Sequence, residues 1–392
     1  MRQVVVTVYE TVDVADLTVN EAAALESTGV VAVRPTRTSG SWTVTAGAHV
    51  GVVTVGELEL RIRPRIKVAR LIFLLGYATD RQVWRDDPVG LDDQVDLWPA
   101  MAQVFARSAD RATQRGLLQG YRTEETMAGV LRGRIIEAEQ LRRQAGIPTP
   151  LHVRYDEYDV DIAENRILLA AIIRLLRVKR LPAESVRRLR HLSGQFADVT
   201  PLNPGQRLPS TPKSRLNSNY QPAIALARMV LGSRSIDVLD KGVKATGFLV
   251  NMNTVFEDFV AVALSESLAR FGGHATSQDR GHTLDHGARV RFRPDLVYYQ
   301  RPPIPAAVVD AKYKAEAPAG YPYADIYQML AYCVGLNLPT GHLVYAEGGR
   351  PARRIRVRHV GTEIVQHALD LSAPVSDLLA QIDRVAAELA AP

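Results

Sequence analysis

The hydrophobic positions of this chain change period along its length, and the period marks out three regions. Over residues 1–66 they come in short β-branched runs, VVVTVYE (4–10), GVVAVRP (29–35) and SWTVTAG (41–47). GVVTVGELELRIRPRI (51–66) alternates, with Leu58, Leu60 and Ile62 on one parity and Glu57, Glu59, Arg61 and Arg63 on the other. That pattern predicts one half-buried strand with a wet face, ended by Pro64. LIFLLGYA (71–78) starts a helical or buried segment, the acidic run 86–96 reads as a loop, and 98–121 as a helix. In the middle, 129–144 reads as strand then helix, and LHVRYDEYDVDI (151–162) alternates. ENRILLAAIIRLLRVKRL (164–181) and AESVRRLRHLSGQF (183–196) have helical spacing. Residues 200–219 carry four prolines and read as a linker or a long ordered connection. Beyond them, helices are predicted at 250–271, 323–336 and 376–389. Strands are predicted at 287–299, 306–314, 341–347 and 353–360. A sheet with helices packed on it is the simplest architecture for such a series. The predicted fold class is therefore a multidomain α+β / α/β chain: a β-rich N-terminal region (1–100), a mixed middle region (101–235) and a C-terminal α/β domain (236–392).

Composition narrows the setting. The 392 residues are 46% hydrophobic and 23% charged, ordinary for a folded chain. The single cysteine, Cys333, excludes a disulfide framework and any Cys-rich zinc module. No apolar stretch reaches the length of a membrane span, and the first residues do not read as a signal peptide, so a cytoplasmic location is expected. The net charge of +6 is unevenly spread, at −3 over 1–100, +10 over 101–250 and −1 over 251–392. The basic peak, Arg174 to Arg190, has three readings: a DNA track, a contact to an acidic partner, or a solvated face.

The chemistry concentrates in Pro294-Asp295 and Asp310-Ala311-Lys312. The prolines of RPPIP (301–305) interrupt the ladder between two strands. A hairpin symmetric about them sets Asp295 directly opposite Asp310, side chains on one face. Lys312, two residues on, points the same way. Arg291, Arg293 and Lys314 extend this charged face, and Leu296, Tyr298, Val309 and Ala311 line the other. Two juxtaposed carboxylates repel unless a cation joins them. A hard divalent ion such as Mg²⁺ resolves the conflict and brings phosphoryl chemistry with it. Lys312 is placed to orient a water and to stabilise developing charge. Glu257, on the helix before the hairpin, is a candidate third metal ligand, with Asp258 as its rival.

The order helix-Glu257, Pro294-Asp295, Asp310-x-Lys312 resembles the PD-(D/E)xK nuclease superfamily. Gln328-x-x-x-Tyr332, one helical turn apart, resembles the Q-x-x-x-Y of its RecB-type branch, where such residues sit near the metal and the DNA. Further stretches are similar to the McrC family: GELELRIRPRI (56–66), LRGRI (131–135), YDEYDVDIAENRILLAAI (155–172) and GVKATGFLVNMNTVFEDFV (242–260). That resemblance implies the nuclease subunit of a McrBC-type modification-dependent restriction system, with a restriction-endonuclease-like C-terminal domain. It implies Mg²⁺ (with Mn²⁺ able to substitute) held by Asp295, Asp310 and Glu257, and Lys312 and Gln328 as further catalytic residues. It also implies a partner, a hexameric McrB-like AAA+ GTPase that docks on the N-terminal region, binds the GTP and reads modified cytosine in double-stranded DNA. No phosphate-binding G-x-x-x-x-G-K-[ST] occurs in this chain, in keeping with GTP bound elsewhere. Two other readings are an adaptor that activates the motor without cutting, and a stand-alone nuclease. Arg134 and Arg166 read as structural or partner-contacting, the histidines, including His282 and His286, as surface residues, and Cys333 as helix core.

Overall fold

The computed structural model describes residues 2–38, 40–80, 84, 96–144, 149–203, 205–240, 243–313, 323–346 and 353–391. Most of the acidic run 86–96, and Lys314, lie outside the described residues. The chain gathers into two compact units, Met1–Ala100 together with Ser233–Pro392, and Met101–Gly232.

The short β-branched runs form β1 (Arg2–Thr7), β2 (Thr11–Ala15), β3 (Val31–Pro35) and β4 (Ser41–Ala46), with α1 (Val19–Ser27) between β2 and β3. α1 is fixed at its start by a capping box, since Thr18 and Glu21 each satisfy the other's backbone N–H. The stretch 51–66 is not one strand. It turns back at Gly56 (φ 54), pairing β5 (His49–Val55) antiparallel to β6 (Leu58–Arg63). Glycine adopts this left-handed conformation without steric cost. Within β6 the apolar parity holds, with Leu58, Leu60 and Ile62 buried. Glu59 departs from it, buried but paired with Arg61 at 2.8 Å. The strand stops at Arg63, before Pro64, and α2 (Val68–Asp80) follows.

In the second unit, α3 (Leu97–Thr113) ends earlier than its pattern suggested. The chain then turns, and Asn165 Nδ2 ties down the Leu118 carbonyl at 2.8 Å, so β7 (Gly120–Ala128) begins where helix was expected. β8 (Arg134–Ile135) and α4 (Glu137–Gln144) precede β9 (Leu151–Asp159). β9 pairs with β7 along nine residues, Gly120 opposite Asp159 through Ala128 opposite Leu151. α5 (Ala163–Leu176), α6 (Ala183–Gln195) and α7 (Gln221–Gly232) complete the unit, Ile167, Leu168, Leu189 and Leu226 being buried among their apolar faces. The proline-bearing connection before α7 is ordered, because buried Asn217 hydrogen-bonds Glu164, Ser214 and Pro212.

The chain then returns to the first unit. β10 (Arg234–Asp240) and β11 (Val243–Asn251) add to the N-terminal sheet, whose order is β1-β6-β5-β11-β10. Gly51 of β5 shows how close this joint is, since a Cβ there would meet Phe248 O of β11 at 2.1 Å. α8 (Met252–Leu268) packs on α2, Phe259 meeting Phe73 and Tyr77 at 6.0 and 5.5 Å between ring centres. β12 (His274–Ser277), β13 (His282–Thr283), β14 (Arg291–Phe292), β15 (Leu296–Tyr299) and β16 (Ala307–Lys312) follow. After them come α9 (Tyr323–Leu336), β17 (Thr340–Tyr345), β18 (Arg353–Arg356), β19 (Glu363–Ala368) and α10 (Val375–Leu389). The second sheet runs β12-β15-β16-β17-β19-β18, parallel from β16 to β19 and antiparallel elsewhere. Residues 287–299 do not form one strand. Pro294 lacks the N–H a ladder needs, and the chain splits there into β14, which pairs with β13, and β15. Arg291 and Arg293 therefore stay exposed and do not continue the face of β15.

No described helix is long and apolar enough to cross a membrane.

Candidate active site

β15 and β16 meet in the register that the symmetric hairpin predicts, Leu296 opposite Val309 and Tyr298 opposite Ala307. Asp295 and Asp310 occupy the next position toward the open end. Val297 and Val308 join the apolar cluster under α9, with Met329, Tyr332 and Leu343. The period of two along a strand puts Asp295, Asp310 and Lys312 on that same α9 side. The carboxylates are therefore buried, with Asp310 2% and Asp295 8% exposed.

Each carboxylate is held differently. Asp295 Oδ2 accepts from the Ala311 backbone N–H at 2.8 Å, and Oδ1 from Gln278 Nε2 at 2.8 Å. Gln278 is itself fixed, its N–H donating to Asp295 O at 2.9 Å. Asp310 Oδ2 is enclosed and lies 2.5 Å from Lys312 Nζ, yet it accepts no well-aligned hydrogen bond. Burial, then the charge of Asp295, pushes the Asp310 carboxyl up to about 7. Burial also raises Asp295. Lys312 is raised by Asp310 and Asp295 against the opposing effect of its own burial.

The pair fits a hard divalent cation. It offers two carboxylates whose mutual repulsion a cation would relieve, one with an under-satisfied oxygen, and Mg²⁺ binds through one or two carboxylates plus water. Among the described residues, no three His, Cys, Asp or Glu side chains are grouped to hold a metal. The predicted trio with Glu257 is thus not gathered into one cluster. Glu257 is half-buried on α8, and burial, then the charge of Asp295, raises its pKa against the opposing charge of Lys312. Asp258 is raised too, by burial and by Asp295.

α9 brings the other predicted pair over the site. Gln328 Nε2 donates to the Tyr332 hydroxyl at 2.7 Å, and that hydroxyl points at Arg293 O at 3.5 Å. Tyr332 is buried within electrostatic reach of Asp310, and burial raises its pKa. Its ring stacks on Phe292 at 5.2 Å, and Phe292 on His282 at 5.7 Å. His282 is therefore not a free surface residue, since Asp279 and Tyr299 lie 3.2 and 3.1 Å from its Nε2. His286 is exposed, as expected. Against expectation, His152, His342 and His367 are buried. Cys333 lies in the core under α9, its thiol pushed up to about 12 by burial. Arg166 is structural, bound by two hydrogen bonds to Asp161, and Arg134 is exposed.

Two neighbours of the site were not foreseen. Gln278 is seventeen positions from Asp295, and only the pairing of β12 with β15 brings it near, so no local pattern marks it. Asp325 is buried, its carboxylate reached by the Tyr345 hydroxyl at 3.3 Å and its charge acting on Lys312. Its spacing of three from Gln328 on α9 was a usable signal.

Comparison with known proteins follows this geometry. The family described as McrBC 5-methylcytosine restriction system component matches residues 44–346. No curated protein matches. The chain is similar to a chain in the refined half-complex from a tetradecameric assembly of Thermococcus gammatolerans McrB AAA+ hexamers with bound McrC. That likeness covers 98% of this chain and 99% of the other at 18% identity, TM-score 0.60, and shows a shared fold. A chain of the cryo-EM structure of the Thermococcus gammatolerans McrBC complex is similar over 68% of this chain and 88% of its own, at 19% identity and TM-score 0.39.

Proposed function

The chain belongs to the family of McrBC 5-methylcytosine restriction system components, and from that membership we propose that it is the metal-dependent endonuclease subunit of such a system. The observation that carries the reading is the buried pair Asp295, just before β15, and Asp310 of the adjacent β16, with Lys312 Nζ 2.5 Å from Asp310. The partner in this reading is a hexameric AAA+ GTPase that binds the GTP and recognises modified cytosine. The related solved assembly, which pairs McrB AAA+ hexamers with bound McrC, supports that choice.

Asp295 and Asp310 would hold Mg²⁺, or Mn²⁺ in its place, with Glu257, in electrostatic reach of both, as a further carboxylate. The bound ion would polarise the phosphate and lower the pKa of a water. The chain's own groups do the rest. Ala311 N–H and Gln278 fix Asp295, so one ligand is oriented before substrate arrives. Lys312 partly offsets the burial that raises Asp310 and presents an ammonium to the charge that grows on the phosphate. Gln328 and Tyr332 roof the site and limit how water enters. Arg291 and Arg293, exposed beside it, suit backbone phosphates.

The test is cleavage of methylated and unmethylated plasmid with Mg²⁺ and GTP, with and without the AAA+ partner. Wild type is expected to cut only methylated DNA, and only with partner and GTP. Asp310→Ala should abolish cutting while still binding the partner and stimulating its GTP hydrolysis. Stimulation without any cutting by wild type would replace this reading with that of a non-cleaving adaptor, and cutting by the chain alone would make it a stand-alone nuclease.

A further inference from the structure

The N-terminal segment reaches the edge of the candidate site. Tyr9, just after β1, takes a left-handed conformation (φ 62) and is 37% exposed. Its hydroxyl donates to Asn253 Oδ1 at 2.8 Å, one helical turn before Glu257 on α8. Its ring centre lies 6.4 Å from that of Tyr313, the residue after Lys312. Tyr313 in turn lies 6.1 Å from Phe256, the residue before Glu257. The Tyr313 hydroxyl accepts the backbone N–H of Arg65, in the connection from β6 to α2. Thus both the lysine strand and the glutamate helix are buttressed by residues from the first 66 positions.

Arg65 is the exposed cation of this buttress. Its Nε donates to Val8 O at 3.2 Å, which holds the guanidinium over the Tyr9 turn, and its charge acts on both Tyr9 and Tyr313. Nearby Arg61 and Arg63 are each paired with Asp96. Among the described residues Arg65 has no such carboxylate partner. A guanidinium carries five donors, and one backbone carbonyl occupies only one of them. The remaining fork matches a phosphate. Its setting strengthens the case. It lies in a locally basic run, Arg61, Arg63, Arg65, Lys67 and Arg70, in which Asp96 engages Arg61 and Arg63. Tyr313, on which the Arg65 charge acts, is the residue after Lys312, so the guanidinium lies near the end of the lysine strand.

We infer that Arg65 binds a DNA backbone phosphate flanking the one that is cut, so that the N-terminal segment supplies part of the nuclease's substrate-binding surface. This rests on the nuclease reading and adds a substrate contact to it. Arg65 acts through binding and takes no part in bond breaking.

The experiment uses the full-length chain carrying Asp310→Asn, which is meant to hold DNA uncut, and a fluorescent duplex titrated over a series of salt concentrations. Adding Arg65→Ala should weaken binding about 3–10-fold and reduce the slope of log K against log salt by about one. Arg65→Lys, which keeps the charge, should retain most of the slope. In the wild-type background, Arg65→Ala should raise KM for DNA more than it lowers kcat. Unchanged affinity and slope in Arg65→Ala would overturn the inference. So would intact DNA binding with lost stimulation of the partner's GTP hydrolysis, which would assign Arg65 to the partner surface. A wild type that cuts while Arg65→Ala binds and cuts normally removes this inference alone. A wild type that neither binds nor cuts removes the nuclease reading with it.

Discussion

Asp310 carries the largest electrostatic conflict in the candidate site. Unfolded, its carboxyl ionises near 3.8, and in the fold near 7, so without a cation the folded state holds the proton more tightly. The sign follows from linkage. A raised carboxyl makes metal-free stability fall as pH rises from about 4 to about 7, and the penalty stays in place above that. Asp310→Asn removes the charge and should raise the melting temperature of the metal-free protein at pH 7.5 while abolishing cleavage. Mg²⁺ should raise the wild-type melting temperature, because a ligand of the native state stabilises it by mass action, and should leave Asp310→Asn unmoved. Equal Mg²⁺ shifts in both proteins, read by thermal unfolding, would remove Asp310 from the metal site. Gln278 acts one step away, through Asp295 Oδ1. Gln278→Ala should cost about 10–100-fold in activity and raise the Mg²⁺ concentration needed, as loss of a ligand's hydrogen-bond partner does elsewhere. Full activity at ordinary Mg²⁺ would show that Ala311 N–H alone orients Asp295.

At the scale of elements, the second sheet couples burial to ionisation twice. At its β15–β16 end, α9 covers the carboxylates. At the other end, His342 of β17 and His367 of β19 stack at 5.3 Å, with Nδ1 of one 3.0 Å from Nε2 of the other. Burial lowers both, His342 to about 3 and His367 to about 4, and Arg354 lowers them further. Glu388 of α10 lies 3.9 Å from His367, with its carboxylate already engaged by Arg354. Unfolded histidines near 6.5 bind protons that the folded pair refuses, so stability falls as pH drops below about 6.5. Two such groups give a slope of up to about 3 kcal/mol per pH unit below pH 6. The double variant His342→Gln, His367→Gln should lose that share of the slope in urea unfolding at several pH values. An unaltered slope would mean that the pair is already charged in the fold. Packing is tight here as well, because a Cβ on Gly341 of β17 would lie 2.5 Å from Cys333 Sγ of α9.

The first unit is discontinuous in sequence, and this bears on the whole chain. β11 from the C-terminal part pairs with β5 from the N-terminal part, register running from Ala245 opposite Val55 to Asn251 opposite His49. α8, which carries Glu257, packs on α2, and buried Arg70 of α2 donates to Leu371 O at 2.8 Å. A fragment of residues 233–392 would expose these apolar faces and leave β11 an unpaired edge. Alone, it should lack a cooperative unfolding transition and precipitate, and co-expression with residues 1–100 should improve its solubility. A fragment that is soluble by itself and unfolds cooperatively would show that the nuclease region needs no help from the N-terminal strands.

Much of the second sheet and of the candidate site was legible along the chain. Proline breaks and alternation locate β15 and β16, and a symmetric hairpin sets Asp295 opposite Asp310 from the sequence alone. The helical spacing of α5, α8, α9 and α10 was equally plain, because each must bury one face against a neighbour. Other features depend on partners far away in sequence. The fold-back at Gly56 looked like continuous alternation, since valines at both parities of β5 (Val50, Val52, Val53, Val55) hide the switch from odd to even positions across the turn. β10 and β11 join a sheet built nearly two hundred positions earlier, and no local period records that. Gln278, the buried histidines and the Tyr9–Arg65 buttress share this property, for each owes its environment to strands or helices that meet only on folding. The sequence by itself thus determined which residues are suited to the chemistry and which elements carry them. Tertiary structure alone decided how deeply the carboxylates are buried, what holds each in place and which distant segment stands beside them, because desolvation and contact depend on the whole packed neighbourhood.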